Sequence, residues 1–214
     1  MSRFNSVVLD VDSTLSGVEG IDWLASLRGK EVEAWSATLT AEAMAGKLSL
    51  DTVYRKRLDV VRPDREEVSE LGKVYVSRIA PSASETLREL SKRRIDVAMV
   101  SGGLREAILP LAGLLGIKDD RLCAVSIFFD EEGKYKGFDE SSPLASQRGK
   151  PKAVQEMKLA HPILAVGDGM TDLEMKPAVD GFAAYTGFVR REQVVEGADF
   201  VIDTFRALKD LVLG

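Results

Sequence analysis

Residues 4–19, reading FNSVVLDVDSTLSGVE, limit the fold of this chain more than any other stretch. The apolar run Val7-Val8-Leu9 reads as a buried strand that delivers Asp10 and Asp12, then Ser13 and Thr14. Side chains alternate along an extended backbone, so Asp10 and Asp12 leave on one side and Val11 on the other. Two acids at the mouth of a buried strand repel each other and lose hydration. A cation or a reacting group must offset that cost. The stretch is therefore a candidate active site.

The pattern then turns helical over residues 17–76. Ile21, Trp23, Leu24 and Leu27 mark a first apolar face, and Val32, Trp35 and Leu39 extend it. Leu50, Val53, Tyr54 and Leu58 mark another helix, and Val68, Leu71, Val74 and Tyr75 one more. Pro63 and Asp64 lead into the acidic turn Arg65-Glu66-Glu67, a helix-start signal. Such a block, placed directly after a strand bearing acids, is expected to be a small helical domain inserted into an α/β core. It could close over the C-terminal end of that strand. The expected division is a core of residues 1–16 and 77–214 with a cap of residues 17–76.

Strands alternate with helices from Pro81 onward: 95–100, 123–129, 163–166, 181–185 and 200–202 are β-like. Ser101-Gly102-Gly103 reads as a turn, and Pro110 is expected to kink or restart the helix over 104–115. Glu131 to Lys134 reads as a hairpin turn returning through Tyr135 to Phe138. The expected class is α/β: a Rossmann-like, mostly parallel sheet with helices on both faces, an inserted helical cap and a small β-hairpin.

Composition excludes some partners. A formal charge of -5 gives no attraction to nucleic acid or anionic membrane. No apolar run approaches the length of a membrane span, and no leader pattern opens the sequence, so a cytoplasmic location is expected. Cys123 is the single cysteine and reads as a small buried hydrophobe. His161 reads as a solvated or capping residue, and Trp23 and Trp35 as packing.

Four pieces stand past strand ends, where ligands bind in open α/β sheets: Asp10 to Thr14, Ser101-Gly102-Gly103, Lys150 in its loop, and Gly167-Asp168-Gly169 with Asp172. Asp10, Asp12 and Asp168 offer hard oxygens suited to Mg²⁺. Ser101, the backbone N–H groups after it and Lys150 offer donors to phosphate oxygens. The set has the features of a phosphoryl-transfer site.

These residues resemble the motifs of the haloacid dehalogenase-like phosphohydrolases: DVDST at 10–14, SGG at 101–103, Lys150, and GDGMTD at 167–172. EGIDWLA from Glu19, EAMAGKLSL at 42–50, Arg57, GFDESSP from Gly137 and FVRREQV from Phe188 resemble the branch that acts on phosphoserine. The resemblance implies hydrolysis of a small phosphorylated amino acid, L-phosphoserine, as the last step of serine synthesis. It implies Asp10 as nucleophile and Asp12 as general acid/base. Mg²⁺ would lie on the Asp10 carboxylate, the Asp12 backbone carbonyl and Asp168, with Asp172 behind it. Ser101, Gly102 and Lys150 would clamp phosphate. Glu19 would meet the substrate ammonium and Arg57 its carboxylate, with Met44 and Leu50 as an apolar wall; Thr171 and Arg191 match positions near the site. A monomer or homodimer is expected.

Plainer readings exist. Glu19 could be a solvated helix-start acid, Arg57 a member of the run Arg55-Lys56-Arg57, and Met44 and Leu50 core. Another ester (phosphothreonine, phosphohomoserine), transfer to an alcohol instead of water, or a catalytically silent binding protein would use the same fold. The presence of both Asp10 and Asp12 disfavours the last.

Overall fold

Val7, Val8 and Leu9 are fully buried, and their strand has a parallel neighbour on each side. In the computed structural model, which describes residues 2–44, 47–48, 50–146 and 148–214, this strand is β1 (Ser6–Leu9). Four helices follow it: α1 (Gly20–Ser26), α2 (Lys30–Met44), α3 (Leu50–Val61) and α4 (Arg65–Ser77). Then come α5 (Ala83–Lys92), β2 (Asp96–Leu104), α6 (Arg105–Leu115) and β3 (Leu122–Val125). A hairpin of β4 (Ile127–Phe129) and β5 (Tyr135–Phe138) leads to α7 (Gly149–Glu156), β6 (Ile163–Gly167) and α8 (Met170–Leu173). The chain finishes with β7 (Gly181–Tyr185), α9 (Glu192–Gly197), β8 (Phe200–Ile202) and α10 (Phe205–Leu213). The side chains of residues 44 and 50–52 lie outside the described set, and Met44 and Leu50 with them.

The main sheet runs β3-β2-β1-β6-β7-β8, and every pairing in it is parallel. Helices flank it, and β4-β5 forms the separate antiparallel pair. The α/β class read from the sequence is the class observed. β1 is central, and the chain departs from it in both directions, to β2 on one side and β6 on the other. That arrangement opens a crevice beyond the strand ends. The four helices α1–α4 occupy the connection between β1 and α5. A capping box starts α4: Asp64 accepts the Glu67 N–H at 3.0 Å, and the Glu67 side chain accepts the Asp64 N–H.

The structure corrects five local readings. Ser101 to Gly103 belong to β2, not to a turn, with a register shift against β3 between Val100 and Leu104. Residues 123–129 are not one strand: pairing passes from β2 to β5 across Ser126, although Val125 and Ile127 are both buried. An apolar run records burial and not which neighbour causes it. Helix α6 runs through Pro110 without a restart. The proline ring packs on α4 at Gly72, where an added Cβ would lie 3.1 Å from Pro110 Cγ, so close packing offsets the lost hydrogen bond. Trp35 lies 36% exposed, against the expectation of packing, whereas Trp23 is half-buried against the core. Cys123 is also half-buried, not fully buried. His161 is exposed and pairs with Asp180.

Among the described residues no helix is long and apolar enough to cross a membrane.

Candidate active site

Strand register brings the acids together. Leu9 pairs with Met99 on β2 and Val166 on β6, so Asp10, Ser101 and Asp168 emerge within one residue of the same sheet edge. Lys150 arrives differently from the expected loop: it lies in the first turn of α7. From there its ammonium donates to Asp10 Oδ1 at 2.7 Å and Asp172 Oδ1 at 2.5 Å. Burial works against its charge, yet the fields of Asp10 and Asp172 and both hydrogen bonds hold its pKa above the ordinary lysine value.

Asp172 is fixed from its other side. Its Oδ2 accepts the N–H groups of Asp168 at 3.1 Å and Gly169 at 2.9 Å. A Cβ on Gly167 would collide with this carboxylate, so glycine is needed at the end of β6. Thr14 Oγ1 donates to Asp168 Oδ1 at 3.1 Å, and Arg191 forms an ion pair with Asp168 Oδ2.

Asp10, Asp168 and Asp172 each place a carboxylate oxygen within 4.8 Å of the others. Burial, then Asp172, lifts the Asp10 pKa well above the ordinary carboxylate range. Counting Asp12, four acids meet two cations, Lys150 and Arg191. Converging hard oxygens with excess negative charge fit a divalent cation.

Asp12 turns toward the helices. Its Oδ1 accepts the Tyr75 hydroxyl from α4 at 2.5 Å, and its Oδ2 accepts the Gly20 N–H at the start of α1 at 3.0 Å. Burial raises its pKa, and these two bonds oppose the rise. Glu19 stands just before α1, where its Oε1 accepts from Ser13 Oγ at 2.7 Å and lies 3.9 Å from Arg191. Burial first, then Asp12, pushes its pKa up to about 7.

Arg57 is almost fully buried, not a member of a solvated charge run. Its Nη2 donates to Asp22 Oδ1 at 2.6 Å and its Nε to Ser36 Oγ at 3.0 Å. Asp22 also accepts from Ser36 and Thr40.

One cavity of about 50 Å³ is lined by Asp10, Asp12, Glu19, Arg57, Ser101, Gly102, Lys150, Asp168 and Thr171. Asp172 bonds to Lys150, one of the lining residues. The structure thus brings the candidate residues together, apart from Met44 and Leu50, which lie outside the described set. A larger open groove of about 600 Å³ runs between α5 and α6 at the opposite, N-terminal edge of β2 and includes none of these residues.

Three residues that the sequence reading left as packing or unassigned prove to be part of the site's construction. Tyr75 orients Asp12, Asp22 holds Arg57, and Tyr54 lines the cavity. Asp22 carried a signal, lying three residues after Glu19 at a helix start. Tyr54 and Tyr75 read only as members of apolar faces.

A parallel α/β sheet whose central strand ends in paired aspartates, facing a buried lysine and a third acid loop, defines a phosphohydrolase-type site. Residues 4–180 match the model of the haloacid dehalogenase-like hydrolase family, and the chain belongs to that family. It closely resembles phosphoserine phosphatases. It is 38% identical over 210 residues to the chloroplastic phosphoserine phosphatase of Arabidopsis thaliana, covering 95% of this chain and 70% of the plant protein. Identity to the phosphoserine phosphatase of Bos taurus is 35% over 204 residues, covering 94% and 90%. Among solved structures, a phospho-aspartyl intermediate analogue of phosphoserine phosphatase superposes with a TM-score of 0.82 at 27% identity, covering 97% and 98%.

Proposed function

We propose that this chain is a Mg²⁺-dependent phosphatase that hydrolyses L-phosphoserine to L-serine and phosphate. One observation carries the reading: a single buried cavity joins Asp10, Ser101 and Lys150 to Glu19 and Arg57. The first three suit a phosphate, and the last two suit the ammonium and carboxylate of an amino acid. The curated relatives named phosphoserine phosphatase support the same substrate.

Asp10 would attack phosphorus, forming a P–O bond to its carboxylate as the bond to the serine oxygen breaks. Asp12 would give its proton to the departing oxygen; burial, which raises its pKa, favours that protonated form. Asp12 would next take a proton from water, whose oxygen attacks phosphorus and frees Asp10. Ser101, the Gly102 N–H and Lys150 would hold the phosphoryl oxygens. With α1 and α4 packed on the sheet edge, Tyr75 and Gly20 orient Asp12.

Asp10, Asp168 and the Asp12 backbone carbonyl would hold Mg²⁺, with Asp172 supporting them. A bound cation reduces the repulsion between the Asp10 carboxylate and a phosphate dianion.

The cavity volume of about 50 Å³ is far below the roughly 300–1,000 Å³ of small-ligand pockets. Admitting a substrate would then call for α1–α4 to move away from the sheet edge, as a cap does.

Glu19→Gln and Arg57→Gln test the amino-acid end. Each is expected to lower kcat/KM for L-phosphoserine about 100-fold, equivalent to about 2.7 kcal/mol of charged contact. p-Nitrophenyl phosphate, which offers neither group, should change less than about threefold by the same reasoning. Equal losses on both esters would contradict the assigned recognition.

A further inference from the structure

Tyr54 lies on α3 three residues before Arg57, so the two side chains share one helix face. Its ring packs against Phe138, with centroids 5.2 Å apart, and it is 2% exposed. Packing alone would be served by phenylalanine. The hydroxyl has no hydrogen-bond partner among the described residues, although Tyr54 lines the cavity beside Arg57, Asp12 and Glu19. A buried hydroxyl without a partner is unfavourable and is rare in folded proteins.

The neighbouring groups narrow what this hydroxyl can serve. The Tyr54 hydroxyl makes no bond to Asp12, whose oxygens accept from Tyr75 and Gly20. Arg57 is an unfinished anion site. Its Nε and one Nη2 hydrogen are spent on Ser36 and Asp22, and Asp22 offsets its charge. An anion meeting Arg57 finds Nη1 and the remaining Nη2 hydrogen, beside a cation already paired. A further neutral donor would strengthen that grip without adding charge. Burial keeps the Tyr54 phenol protonated at any working pH, so it is available as a donor.

The geometry points to Tyr54 as a substrate-binding residue, whose hydroxyl donates a hydrogen bond to the carboxylate of the amino-acid phosphate beside Arg57. This rests on the phosphoserine reading of the cavity. The phosphate end has its own donors in Ser101, Gly102 and Lys150, so the aromatic hydroxyl belongs to the end that discriminates substrates.

Tyr54→Phe removes the hydroxyl and keeps the ring against Phe138. With L-phosphoserine and Mg²⁺, KM is expected to rise about tenfold while kcat stays within about twofold, the pattern of a lost binding contact. O-phosphoethanolamine has the ammonium and phosphate but no carboxylate, and its KM should be unchanged. An unchanged KM for phosphoserine, in a parent enzyme that hydrolyses it, would overturn the role of Tyr54 alone. Equal increases on both esters would overturn it too, by showing a general disturbance of the cavity. A parent that hydrolyses p-nitrophenyl phosphate but not phosphoserine would overturn the substrate reading and this inference together.

Discussion

Glu19 illustrates how burial sets chemistry at the level of one residue. Its carboxyl lies among Asp12, Ser13 and Arg191, and burial brings its pKa to about 7. A raised pKa means that the charged form appears only as pH climbs through that value. Under the proposed function, an ammonium group needs that charged form. KM for L-phosphoserine is therefore expected to fall as pH rises from 6 to 8 and to level off above the Glu19 pKa. Glu19→Gln should remove this dependence, which steady-state kinetics across the range would show. A profile of the same shape in the variant would contradict it. Asp10 and Asp168 were legible in the sequence because each follows a strand whose register the fold preserves, and Ser101 because it lies near the end of β2. The supports were not. Arg57 and Asp22 are 35 residues apart and Tyr75 and Asp12 are 63 apart, so their pairing exists only once the helices have packed.

Among the elements, α4 links the acid strand to the helices. Its capping box was readable as Pro63-Asp64 before an acidic turn, but its second attachment was not. Arg28, just beyond α1, grips Glu67 through two bonds of 2.6 and 2.5 Å. Those bonds, led by the Arg28 contact, lower the Glu67 pKa. A depressed carboxylate pKa contributes stability above the unfolded value of about 4.3. That contribution is lost as pH falls through the lowered native value. Glu67→Gln should cost about 1 kcal/mol at pH 7, from the partly exposed pair and the cap. The cost should shrink below about pH 4, as thermal melts of both proteins would show. A difference that stays constant with pH would assign the effect to packing. Three further elements were misread. β2 continues through Gly103, the 123–129 run changes partner at Ser126 from β2 to β5, and Lys150 sits on the first turn of α7.

At the scale of the molecule, two charge arrangements meet across the crevice above β1. The sheet edge contributes an excess of acid around Lys150, and the helices contribute Arg57, held by Asp22. Under the proposed function, a phosphate ester with an amino-acid end would span both, and a simple sugar phosphate would meet only the first. The α/β order of the chain and the insertion of helices after β1 were legible from periodicity alone. The pairing of helices with sheet edge was not, because periodicity records a buried face and not what it meets. The most direct test of the central claim is the rate of phosphate release from L-phosphoserine, D-phosphoserine, phosphothreonine and sugar phosphates, each with Mg²⁺ and with chelator. The account predicts the highest kcat/KM for L-phosphoserine and its loss on chelation. A higher value for a sugar phosphate, or full activity with chelator, would contradict it.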